Sequence, residues 1–118
     1  MKYMILICRD EPTWAQTSAA ERKQVYEDSV VLAEELTARG QYLGGHPLHP
    51  SSTATSVRVR DGKRLVTDGP FAETREQLGG YMLIDVANLD EAIAIAARVP
   101  LARSGAVEVR PVREGPPT

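Results

Sequence analysis

The sequence predicts an α+β fold in which two helices cover one face of an antiparallel sheet. The first observation is the order of segments along the chain: strand, helix, strand, hairpin, strand, helix, strand. The second is that both helix-like segments start with the same capping pattern, Ser18 to Glu21 and Asn88 to Glu91. Two split β-α-β units around an inserted β-hairpin are typical of a ferredoxin-like fold.

The first strand is predicted over residues 2 to 9, where apolar side chains occupy both alternating faces. The polar segment DEPTWAQT is then predicted to be a loop. A helix follows over about residues 19 to 39, begun by Ser18 and ended by Gly40. Its buried face is predicted from a spacing of four, three and four residues, at Val25, Ser29, Leu32 and Leu36.

The segment QYLGGHPLHP is predicted to be a second strand at a sheet edge or bulge, because it contains Gly44, Gly45 and Pro47. Residues 55 to 60 and 63 to 67 then alternate polar and apolar side chains. Asp61-Gly62 between them is a strong signal for a two-residue hairpin turn.

The segment DGPFAETREQLGG connects this hairpin to a strand predicted over residues 81 to 87. Asp68-Gly69-Pro70 indicates a turn, after which the proline is expected to start a helical turn. Gly79-Gly80 indicates a bulge or a close backbone approach. The second helix ends at Pro100, the last strand covers residues 106 to 112, and the predicted apolar stripe of that helix is Leu89, Ala92, Ile93, Ala96 and Ala97.

Length and charge restrict the class of protein. A chain of 118 residues fits one domain, predicted over residues 1–113 with a flexible tail at 114–118. The net charge of −2 and the lack of long basic runs argue against nucleic acid and anionic membrane as partners. Cys8 is the only cysteine, and the apolar segment at the N-terminus is too short for a secretion signal, so a cytoplasmic protein is expected.

The first strand also predicts a homodimer. Tyr3, Ile5 and Ile7 form one of its faces, and an equally apolar set forms the other. Because both helices are expected on one face of the sheet, the second face needs another cover. A second copy of the chain would bury the patch against itself.

The longest distinctive segment, VTDGPFAETREQLGGYMLIDVANLDEAIAIAARVP, resembles the DGPF-domain branch of the YCII-related proteins. The resemblance extends from MKYMILI to VEVRPV. It implies a ferredoxin-like unit that pairs face to face into a dimeric α+β barrel. Better-described relatives have a histidine on the first helix and an aspartate in an Asp-Pro pair after the second; this chain has neither, since Val99 precedes Pro100.

Asp68 and His46 are the candidate catalytic residues. A carboxylate in a constrained turn could act as a general base or orient a histidine, and histidine titrates near neutral pH. The alternative is structural, since Asp68 could simply accept a backbone amide in the turn while Phe71 anchors that turn on the sheet.

The candidate substrate-binding residues are His49, Arg75, Trp14 and Phe71. Arg75 is the choice for an anionic ligand, and Trp14 could cover a cleft or one end of a barrel. His46 and His49 have no metal-ligand spacing, so no metal is predicted, and no cofactor motif is present.

Two functions remain open from the sequence. The first is a small enzyme without a cofactor, performing isomerisation, elimination or hydrolysis on a small molecule in the barrel cleft. The second is a non-catalytic ligand-binding or accessory protein. The resemblance implies a link of that second role to extracytoplasmic-function sigma factors.

Overall fold

The computed structural model describes residues 1–117; Thr118, the last residue of the predicted tail, lies outside the described residues. The helices are α1 (Glu11–Gln16), α2 (Ala19–Ala38) and α3 (Leu89–Ala97). Short 3-10 turns occupy Ser51–Thr53 and Pro100–Arg103. The strands are β1 (Lys2–Asp10), β2 (Tyr42–Pro47), β3 (Thr55–Arg60), β4 (Lys63–Asp68), β5 (Glu76–Asp85) and β6 (Ala106–Pro111).

The main sheet has four antiparallel strands in the order β2-β5-β1-β6, which confirms the α+β class. β2 is an edge strand with an irregularity between Tyr42 and Gly44, as the sequence predicts. The core lies between one face of this sheet and the helices α2 and α3. Its fully buried large side chains are Ile5, Leu36 and Ile84.

The predicted caps are present at both long helices. The Ser18 hydroxyl accepts a hydrogen bond from the Glu21 amide at 3.1 Å, and the Asn88 side chain accepts one from the Glu91 amide at 3.0 Å. Gly40 has a φ of +70°, as expected for the residue that ends α2. In α3 the predicted stripe is partly wrong, because Leu89, Ile93 and Ala97 are exposed and Ile95 is buried together with Ala92 and Ala96.

Two connections differ from the prediction. The segment predicted to be a loop contains α1, because Asp10 caps it and Pro12 occupies its first turn. The helical turn predicted after Pro70 is wrong, since residues 71–75 contain no helix. Instead, β5 starts at Glu76, five residues before the predicted strand, and passes through a bulge at Gly79 opposite Ile7 and Cys8.

The strands β3 and β4 form a separate two-stranded sheet, joined as predicted at Asp61 and Gly62, both of which have positive φ. This hairpin does not pair with the main sheet. Its large aliphatic side chains are therefore exposed: Val57, Val59, Leu65 and Val66. No helix of residues 1–117 is long and apolar enough to cross a membrane.

Candidate functional site

A cavity of about 370 Å³ lies between α2 and the main sheet. The helix contributes apolar and hydroxyl groups from Val25, Val30 and Ser29, and the sheet contributes Tyr42 and Met82. Arg9 and Trp14 form one end of the cavity. They also border a second cavity of about 310 Å³, which extends toward α1 and the turn at Pro100.

Arg9 is the most unusual residue of the site, because it is charged and only 8% exposed. The Trp14 ring covers its guanidinium at 4.8 Å, a cation–π geometry. On the sheet side the guanidinium packs against Gly79, where a Cβ atom would lie 3.0 Å from Arg9 Cζ. The cation thus packs against both an aromatic ring and a glycine.

Few of the hydrogen-bond donors of this guanidinium have a partner in the protein. Among residues 1–117 its one hydrogen bond runs from Nη2 to the Leu48 carbonyl at 3.4 Å, and Nε is buried without a partner. Burial lowers the pKa of Arg9, and the negative charge of Glu11 partly opposes this effect. Glu11 itself is engaged elsewhere, since its carboxylate accepts the Ser51 amide at 3.1 Å.

Trp14 is positioned by α1, whose start depends on Asp10. The Asp10 carboxylate accepts the Thr13 amide at 3.1 Å and also pairs with Arg75. The Thr13 amide and Arg75 together lower the pKa of Asp10. Arg75 therefore supports the helix that carries Trp14, and its side chain borders neither cavity.

A second arginine, Arg22, reaches the cavity from α2 but is already occupied. Its Nε and Nη2 donate to the Thr17 carbonyl at 3.0 and 2.9 Å. These bonds tie the end of α1 to the start of α2. Arg9 is thus the buried arginine of the cavity, whereas Arg22 is exposed.

His46 borders the same cavity from β2, yet its ring lies on the far side of the sheet. Met82 belongs to the core beneath the helices, so the neighbouring Tyr81 points to the opposite face. His46 pairs with Tyr81 in the sheet, and their rings meet edge to face with centroids 6.0 Å apart. The histidine therefore faces the side of the sheet that the helices leave open.

The other predicted site residues lie outside both cavities. His49 is exposed after β2, and Asp68 is exposed at the end of β4. Phe71 is 82% exposed, so the prediction that it anchors the turn on the sheet is wrong for the single chain. Of the six predicted residues, the structure brings Trp14 and His46 to the cavity.

The turn after β4 is held by groups other than the Asp68 side chain. The Gly69 amide donates to the Ala54 carbonyl at 2.7 Å, and the Ser56 hydroxyl donates to the Gly69 carbonyl at 2.7 Å. Among the hydrogen bonds of residues 1–117, none involves the Asp68 carboxylate. The sequence predicted that the Asp68 side chain stabilises this turn through a hydrogen bond. In the structure, a backbone hydrogen bond and the Ser56 hydroxyl stabilise the turn instead.

Sequence reasoning also missed Arg9 and Tyr42, whereas the bulge predicted at Gly79 is confirmed. The signal for Arg9 was present in the alternation of β1, because Tyr3, Ile5 and Ile7 form the core face and Arg9 continues that series. An arginine at the end of a strand is usually exposed to solvent, so its position did not indicate a buried site residue.

Comparisons with known proteins identify the family of this chain. The model of the YCII-related domain matches residues 1–115. The chain belongs to this family. It is also similar to an uncharacterized protein of Rhizobium meliloti (strain 1021), with 37% identity over 114 residues, which cover 95% of this chain and 92% of that protein.

Proposed function

We propose that this YCII-related chain is a cofactor-independent enzyme that performs acid–base chemistry on a small organic molecule bound between α2 and the sheet. The cavity beside Arg9 and Trp14 is the observation that carries the proposal. Its volume of about 370 Å³ falls in the ~300 to 1,000 Å³ range of ligand pockets. Its lining is also typical of such pockets, with apolar and aromatic walls and a few convergent polar groups.

Tyr42 is the proposed acid of the cavity. Its hydroxyl lies 3.4 Å from the Gly45 carbonyl, and burial raises the pKa of the phenol. A protonated phenol can donate a hydrogen bond to a ligand oxygen and so stabilise negative charge that develops there. His46 is the proposed base, reached by a ligand that extends around the β2 edge of the cavity.

The experiment is a thermal-shift screen of the purified chain against a metabolite library, followed by proton NMR of each hit to detect conversion. A ligand at about 100 times its dissociation constant adds about 2.7 kcal/mol of stability. Tyr42→Phe and His46→Gln should slow conversion while binding persists. Binding that disappears in a cavity-filling Ala33→Leu variant places the hit in this cavity; no stabilising compound in the whole screen would refute the proposal.

A non-catalytic ligand-binding protein is the second candidate. It is favoured by the orientation of His46, whose ring packs on Tyr81 on the face opposite the core. Hits that bind with no conversion in NMR would select this function. The accessory role beside an extracytoplasmic-function sigma factor stays a prediction of the family resemblance.

For the assembly, we propose a ferredoxin-like unit that pairs face to face into a dimeric α+β barrel. The strand order β2-β5-β1-β6 supports the first part. The second part is supported by the partly exposed apolar side chains on the face opposite the helices: Met4, Leu6 and Leu83. The cavity lies on the helical face, so each chain of the proposed dimer carries its own ligand site.

A further inference from the structure

We infer that the ligand of the cavity is a small organic monoanion, a carboxylate, whose charged group binds the edge of the Arg9 guanidinium. This inference rests on the proposed function, because it takes the cavity between α2 and the sheet as the ligand site. It adds the chemical class of the ligand and the residue that selects it.

The first step concerns the free-energy cost of burying the Arg9 charge with few hydrogen-bond partners. A buried charge is ordinarily paired or fully hydrogen-bonded, because its transfer out of water is expensive. Arg9 has five N–H donors, yet the described residues supply one acceptor, the Leu48 carbonyl at 3.4 Å. A site that keeps such a group is built for an acceptor that arrives from outside.

The second step is the elimination of internal partners. Glu11 is the carboxylate that acts on Arg9, but it accepts the Ser51 amide. Asp10 caps α1 and pairs with Arg75, and Glu21 borders only the second cavity and is exposed. No ion pair among residues 1–117 includes Arg9.

The third step is the fixed orientation of the guanidinium. Trp14 covers one face of the guanidinium at 4.8 Å and Gly79 packs close to Cζ and Nε, so the N–H groups at the edge are the part left for a ligand. An in-plane approach is the geometry of a bidentate carboxylate, with two parallel N–H···O bonds. The rest of the ligand would then lie against the apolar walls formed by Val25, Val30 and Met82.

The fourth step is the net charge of the ligand. Arg9 and Arg22 both line the cavity, and the nearby Glu11 carboxylate offsets part of the Arg9 charge, so the site carries fewer than two net positive charges. One charge balances a carboxylate. It balances a phosphate monoester poorly, because such a group carries about two negative charges at pH 7.

The experiment uses the intrinsic fluorescence of Trp14, the only tryptophan of the chain. The full chain is titrated with phenylacetate and hexanoate, with the neutral phenylacetamide and hexanamide, and with phenyl phosphate. We expect each acid to bind about tenfold or more tighter than its amide, and phenyl phosphate to bind more weakly than phenylacetate.

Variants assign this preference to Arg9. Arg9→Met removes the charge but keeps a long side chain, so the melting temperature should stay level or rise while the preference for acids disappears. Arg9→Lys keeps the charge and loses the planar fork, so the preference should shrink. Arg39→Gln is the control: Arg39 is exposed at the end of α2 and borders neither cavity, so the ratio of acid to amide should stay unchanged.

Several outcomes would overturn the inference. They are equal binding of acid and amide, an acid preference that survives in Arg9→Met, tighter binding of phenyl phosphate, and no response to any of the five probes. If the amides bind as well as the acids and Ala33→Leu abolishes both, the cavity is still the ligand site and only the ligand class is wrong. If Ala33→Leu changes nothing, the proposed function falls as well.

Discussion

Single residues determine the character of this site more than its overall shape does. Arg9 has a strand position that buries it and a charge that burial penalises. Gly79 leaves the space the guanidinium occupies, and Trp14 covers the other side. Sequence reasoning did not bring these residues together, because their proximity depends on the register of β1 with β5.

The space at Gly79 leads to the first prediction. In Gly79→Ala the new Cβ would lie 3.0 Å from Arg9 Cζ and Nε, so the guanidinium must move. Because the end of the arginine side chain can yield by a few tenths of an ångström, the cost in unfolding free energy should be about 1 kcal/mol or less, while the fluorescence of Trp14 should change. Urea unfolding and emission spectra measure both effects. The same substitution in an Arg9→Ala background should cost less; an equal cost there would mean that the clash lies elsewhere.

The second prediction concerns Asp10 and pH. The pKa of Asp10 is lowered in the folded protein, by the Thr13 amide first and then by Arg75. Its contribution to stability is therefore present above the unfolded pKa of about 3.9 and is lost as the pH falls through the folded value. Asp10→Asn keeps the cap but removes the charge.

Melting temperatures from pH 7 to pH 2 measure this contribution. The wild type should be more stable than Asp10→Asn at pH 7, and the difference should close below pH ~4. Arg75→Gln should reproduce part of the difference, since it removes the ion pair and leaves the cap bond. A difference that stays constant across the whole range would show that charge has no part in it.

At the scale of elements, the sequence predicted those features that neighbouring residues along the chain determine. The starts of α2 and α3 were predicted because Ser18 and Asn88 cap them through neighbouring residues. α1 was missed because DEPTWAQT has no apolar period, and only the cap at Asp10 indicates a helix. The early start of β5 was missed because Gly79 and Gly80 weaken a strand pattern, and pairing with β1 overrides that weakness.

The turn after β4 gives the third prediction. Ser56 donates to the Gly69 carbonyl, so Ser56→Ala should lose about 1 kcal/mol of stability. Asp68 is exposed, so Asp68→Asn and Asp68→Ala should each change stability by about 0.5 kcal/mol or less. Denaturant unfolding of the three variants tests this.

Two results would restore the roles predicted for Asp68 from the sequence. Destabilisation in Asp68→Ala but not in Asp68→Asn would show that the side chain accepts a structural hydrogen bond. Loss of turnover in Asp68→Asn, with an unchanged melting temperature, would show that the carboxylate takes part in chemistry.

The whole molecule is flatter and wider than a compact globular domain of the same length. Its extents are 47 × 46 × 19 Å, and its radius of gyration is 16.2 Å. A compact chain of this length is expected to have a radius of about 13.5 Å. The larger radius is explained by the hairpin, which is separate from the main sheet, and by the main sheet, which the helices cover on one face only. In the single chain, both features leave apolar side chains exposed to water.

These two surfaces lead to the last prediction, which concerns self-association. Val57 and Val66 are paired across the hairpin and share a face with Val59, and each of the three is more than half exposed. A second copy that covers both this hairpin and the open sheet face would remove these side chains from water. Light scattering after size exclusion should therefore give twice the chain mass of 12.9 kDa at micromolar concentration.

Charge substitutions locate the contact. Val66→Lys on the hairpin and Leu6→Lys on the open face should each shift the mass toward the monomer, because an unpaired charge in an apolar interface is costly. Ile93→Lys is the matched control: Ile93 is 51% exposed, close to the 55% of Val66, but lies on α3 at the helical side. A wild type that is monomeric at these concentrations would refute the dimer. A mass lowered only by Ile93→Lys would instead move the interface to the helices.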